Sequence, residues 1–150
     1  MPCFETTNFG EIEYQENAVV HFPEGVPSFG SERQFLLLHR PESAPVVFLQ
    51  SLTRPDLTFI TLPVDAIEPD YCLQLSRRDR GVLGLEESEP PRADTTLCLA
   101  IVTIPEAEAP TVNLLAPIVI HVSKNLGLQV IQADSDYSHR HPLPLREEEC

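Results

Sequence analysis

The chain has 150 residues, with 10 Lys and Arg against 23 Asp and Glu, a formal net charge of −13 at pH 7. A hydrophobic share of 42% is that of an ordinary folded domain, and this length predicts a single core that needs neither disulfides nor metal. The charge disfavours direct contact with nucleic acid or anionic membrane surfaces, and the 15 prolines leave little room for long helices.

Strand signals begin at once. Residues 5–14 read as two short strands about an Asn8-Phe9-Gly10 turn, with Ile12 and Tyr14 on one face and Glu11 and Glu13 on the other. Residues 18–22 are apolar and β-branched, and Pro23 stops them. Two Pro and two Gly within residues 23–30 predict an ordered turn or loop. Apolar runs at 34–39, 46–52 and 57–64 follow, separated by Pro41, Pro45 and Arg54-Pro55-Asp56. Their length and turn residues suit hairpin strands of an antiparallel sandwich or barrel.

A helix is expected at one place. Ser76 precedes Arg77, Arg78 and Asp79 in a capping-box pattern, Val82, Leu83 and Leu85 supply an apolar face, and Gly81 and Gly84 keep the helix short. Arg77, Arg78 and Arg80 form the chain's one basic concentration, which reads as a helix surface balancing nearby acids. Residues 86–96 are polar and Pro-rich, a flexible connection rather than a domain boundary. The run 97–105 is continuously apolar, as in a strand covered on both faces. A turn at 105–110 leads to a long bent strand at 111–122, in which Pro117 marks an edge or bulge. Residues 124–127 form a further turn into 128–132. The expectation is an all-β, single-domain antiparallel barrel or sandwich over 1–142 with at most one or two short helices, and a flexible tail at 143–150.

Catalytic chemistry finds little foothold. Cys3, Cys72, Cys98 and Cys150 make no CxxC pair, and Cys72 and Cys98 lie in apolar runs where burial would leave them inert. Unpaired thiols, the absence of a visible signal peptide and the lack of a long apolar stretch point to a reducing cytoplasm. Nucleophile-elbow, phosphate-loop and dinucleotide motifs are absent. Asp134, Asp136, His139 and His141 are the densest polar group; they offer metal-ligand chemistry, but a hydrogen-bonded C-terminal turn accounts for them better. No cofactor is expected. Tyr71, between Asp70 and the following apolar run, reads either as an interface anchor or as a packed ring with its hydroxyl at the rim. Asn113 inside an apolar strand needs partners, from a bulge or from a binding role.

Several segments in order resemble the FliW family of flagellar assembly factors: ETTNFGEIE, FPEGVPSF, FLQSL with RPDLTF, PDYCLQLS, AIVTIP, NLLAPIVIH and YSHRHPL, over most of the chain. The resemblance implies a small cytoplasmic barrel-like protein without catalytic activity, expected to be monomeric alone. It implies two protein partners, flagellin and a CsrA-type RNA-binding translational regulator whose repression of flagellin mRNA it relieves. The charge of −13 suits a basic, RNA-binding partner. The residues assigned to the partner face are Glu68, Asp70, Glu106 and Glu108, with Tyr71, Asn113 and Leu114 as less polar anchors. The reading of another class is a metal-dependent or small-ligand-binding β-barrel enzyme using His139 and His141.

Overall fold

The computed structural model describes residues 2–26, 32–85, 95–133 and 135–143. Two strands, β1 (Cys3–Thr6) and β2 (Gly10–Glu13), form a separate hairpin. Gly10 takes φ 68° there, and the Thr6 hydroxyl donates to its carbonyl at 2.8 Å while accepting the Phe9 amide. The main sheet contains β3 (Val20–His21), β4 (Gln34–His39), β5 (Val47–Ser51), β6 (Thr58–Pro63), β7 (Thr96–Thr103), β8 (Thr111–Val112), β9 (Ile118–His121), β10 (Leu126–Gln129) and β11 (His141–Pro142). Neighbours run β7-β6-β5-β4-β3-β10-β9, and β9 pairs back onto β7, so seven strands close into a barrel. Pairing is antiparallel except between β3 and β10. Closure removes the open edges that invite aggregation. Beyond the barrel, β8 continues from β7 and β11 from β8.

Side-chain alternation explains where the core sits. Phe35 and Leu37 on β4, Val47 and Leu49 on β5, Leu99 on β7 and Ile118 and Ile120 on β9 share one cluster with Val20, Phe22 and Val26, which fills the barrel. The outward faces of the same strands are covered in turn. Cys98, Val119, Leu128 and Val130 lie beneath Leu83 and Leu85 of the helical segment, with Leu73 and Leu75 alongside. Ala100 and Val112 pack with Val64 and Leu114, and Leu36 lies under Ile12 of the hairpin. Strand β7 is therefore covered on both faces, as its continuous apolar run requires.

The helix α1 (Arg77–Leu83) starts where expected. The Ser76 hydroxyl accepts the Asp79 amide at 3.0 Å, and the Asp79 carboxylate accepts the Ser76 amide at 3.1 Å. Gly84 closes it at φ 72°. Lys124 donates to the Gly84 carbonyl at 2.7 Å, placing a cation at the helix C-terminus, and His121 Nδ1 lies 2.7 Å from the Leu83 carbonyl oxygen. Ser76→Ala is expected to cost about 1 kcal/mol, read as a lower urea midpoint with an unchanged slope.

Three expectations need correction. The stretch 111–122 is not one strand: Val112 pairs with Val102, but Ile118 pairs with Leu99, so the chain loops out three extra residues. Asn113 causes the break, its side-chain oxygen accepting the Leu115 and Ala116 amides at 3.0 Å each. Second, β10 begins at Leu126, two residues before the expected 128, because Asn125 takes the positive φ of 52° that closes the turn. Third, the strand expected at 18–22 shrinks to Val20–His21 behind a 3₁₀ turn, Glu16–Ala18. The 143–150 tail and the 86–96 connection fall mostly outside the described residues.

Candidate partner-binding face

After β6 the chain passes Val64–Ala66, a 3₁₀ turn, and runs extended from Tyr71 to Ser76 before entering α1. Burial alternates along it: Tyr71, Leu73 and Leu75 are turned inward, whereas Cys72, Gln74 and Ser76 are exposed. Among the described residues no neighbouring strand holds this segment. Gln132, only 2% exposed, does so with its side chain: its Oε1 accepts the Gln74 amide at 2.7 Å, and its Nε2 donates to the Gln74 carbonyl at 2.9 Å. The Tyr137 hydroxyl accepts the Cys72 amide at 2.9 Å, and its ring stacks on Tyr71 with centroids 4.2 Å apart. Sequence reasoning missed Gln132. A glutamine between two apolar residues, Ile131 and Ala133, was the available signal, because a buried amide must find partners.

The residues assigned to the partner face separate into two groups. Tyr71, Asn113 and Leu114 come together. The Tyr71 hydroxyl donates to the Leu114 carbonyl at 2.6 Å, and Asn113 is spent on the turn described above. Leu114 is only 1% exposed, so it is a core residue that supports this surface from behind and offers no anchor of its own. Glu68 is half-buried and Asp70 exposed in the connection leading to Tyr71. Glu106 and Glu108 are exposed on the β7–β8 connection, beside Ile104, which is 63% exposed and was not singled out from sequence. Both connections border the cluster that contains Val64, Ile67, Tyr71, Val102 and Val112. The β1–β2 hairpin adds a third set of acids. Glu5 lies opposite Glu11, a like-charge pair that disfavours the hairpin itself, and Glu13 lies opposite Cys3.

His139 is exposed, and His141 is half-buried on β11 opposite Val112. Asp136 is exposed, and Asp134 lies outside the described residues. Among the described residues no three His, Cys, Asp or Glu side chains gather closely enough to hold a metal ion. The two cysteines expected inside divide. Cys72 is exposed, because it falls on the outward half of the Tyr71–Ser76 alternation. Burial, with a smaller contribution from Asp65, pushes the Cys98 thiol from its ordinary 9.0 up to about 12.

That shift has a signed consequence. Between pH 9.0 and about 12 the unfolded thiol ionises while the folded one keeps its proton. The unfolded chain then binds fewer protons, so stability falls as pH rises through that window. Burial raises the Tyr71 phenol too, adding to the fall above its ordinary 10.0. The urea midpoint is expected to be lower at about pH 10 than at about pH 8, and Cys98→Ala to flatten the onset of the decline.

Fold and surface together define a class: a small, closed, seven-strand barrel with one short helix among the described residues, and acids beside isolated exposed aliphatic side chains on its outside. The family model described as FliW protein matches residues 3–143. The flagellar assembly factor FliW of Carboxydothermus hydrogenoformans is 38% identical over 138 residues, covering 91% of this chain and 86% of that protein. That of Syntrophotalea carbinolica is 33% identical, covering 92% of this chain and 95% of the relative. A crystal structure of the flagellar assembly factor FliW superposes with a TM-score of 0.84 at 32% identity, covering 97% of this chain and 99% of that one. The chain belongs to the FliW family.

Proposed function

We propose that this chain is a non-catalytic, cytoplasmic flagellar assembly factor that binds flagellin and, when released from it, a CsrA-type translational regulator. The family match over residues 3–143 carries the reading. Physical chemistry supports it in two ways. A protein at −13 attracts the basic surface of an RNA-binding regulator and speeds the encounter. Once docked, its acids repel phosphates within a Debye length of ~8 Å. RNA affinity then falls without the RNA site being covered, and the coupling is reciprocal: RNA must weaken this protein's binding by the same factor. Flagellin that occupies the protein would withhold it from the regulator, linking flagellin synthesis to flagellin export. Among the described residues no helix is long and apolar enough to cross a membrane.

Size-exclusion chromatography of the protein with flagellin and with the regulator, singly and together, tests the reading. Co-elution with each partner is expected, with flagellin lowering the share bound to the regulator. Failure to co-elute with either, even at low salt, would end it.

A further inference from the structure

Beside the stapled segment lies a groove of about 720 Å³, lined by Cys72, Gln74, Ser76 and Asp79 on one side and by residues of 131–137 on the other. That volume falls within the ~300–1,000 Å³ of sites that take a compact ligand, enough for a few side chains and not for a domain. Ile131, 66% exposed, stands in its lining and leaves an aliphatic side chain in contact with water. Among the described residues, its charged lining residues are Asp79 and Asp136; Arg77, Arg78 and Arg80 are not in that lining, and Arg78 is paired with Glu24 at 2.6 Å. The walls are fixed in advance. Gln132 holds Gln74 through two bonds, Tyr137 holds Cys72, and the Ser135 hydroxyl donates to the Gln132 carbonyl at 2.7 Å. Little ordering entropy remains to be lost when a partner arrives.

We infer that this groove, with Ile131 as its apolar foothold and Asp79 and Asp136 as its charges, docks a segment of the basic RNA-binding partner in which an aliphatic side chain is flanked by Lys or Arg. The inference rests on the reading above that such a partner binds this chain, and it adds where and by what chemistry. Apolar contact supplies affinity at the centre, and the two acids set orientation and reject acidic segments.

The test uses the full chain and the CsrA-type regulator as probe, with dissociation constants from calorimetry. Thermal melts confirm that each variant is folded; Ile131 and Asp136 are both exposed, so neither substitution disturbs the core. Ile131→Ser is expected to weaken binding about tenfold and Asp136→Lys several-fold. Glu42→Lys, an equal charge change in the β4–β5 connection outside the groove, is expected to stay within about twofold. Wild-type binding with both groove variants unaffected would overturn the groove assignment and leave the proposed function standing. Variants that lose flagellin but keep the regulator would overturn the choice of occupant. If the wild-type chain bound neither protein, the functional reading itself would fail, and the groove assignment with it.

Discussion

Gly127→Ala is expected to destabilise the barrel by about 3 kcal/mol, the upper end of the cost of overpacking a core. A Cβ at this position would lie 2.6, 2.7 and 2.9 Å from three ring carbons of Phe22. The ring cannot yield, because Phe22 is 0% exposed and meets Phe35 edge-on at 5.3 Å inside the barrel. The position is also a junction. Gly127 pairs with Ile120, while the adjacent Leu126 pairs with both His121 of β9 and His21 of β3, where the one parallel pairing lets the barrel close. Displacing β10 from Phe22 therefore strains closure as well as packing. Urea denaturation measures the effect. Phe22→Leu shortens the obstructing side chain, so the double variant should lose less stability than the two single losses added together. A Gly127→Ala chain as stable as wild type would show that β10 and Phe22 are farther apart than described.

Gln132→Ala is expected to have the largest effect on the binding face, at about 2–3 kcal/mol. Alanine leaves the Gln74 amide and carbonyl without their partners, and among the described residues the segment from Tyr71 to Ser76 has no strand ladder to fall back on. Loosening should be local first. Hydrogen exchange at the Gln74 amide should accelerate by more than exchange at Leu49 in the barrel, and regulator binding should weaken because its groove loses one preformed wall. Equal acceleration at both amides would mean that Gln132 supports the whole fold and has no special relation to this face.

Much of the barrel was legible because each strand carried its own stop signals. The runs at 34–39, 46–52 and 57–64 correspond to β4, β5 and β6, and Ser76 with Asp79 marked the helix start. What periodicity could not show was long-range. The return of β9 onto β7 depends on pairing between residues far apart in sequence, which no local pattern records. Asn113 was recognised as needing partners, yet its role as a turn former became evident only from the Leu115 and Ala116 amides. The site was less legible still. Leu114 and Ile131 are both aliphatic residues in apolar surroundings, but the first is core and the second exposed. Leu114 packs with Val64, Ala100 and Val112, whereas Ile131 falls on the outward side of an alternation in which Val130 and Gln132 are buried. Glu106 and Glu108 were visible as acids, whereas the exposed Ile104 beside them read as the continuation of a buried strand.

The most direct measurement follows the regulator bound to the leader of flagellin mRNA as this protein is titrated in, at low and at high salt. RNA is expected to be released as the protein binds, added salt to weaken the release, and excess flagellin to restore the RNA complex. RNA that stays bound at saturating protein, while the protein is demonstrably attached to the regulator, would contradict it.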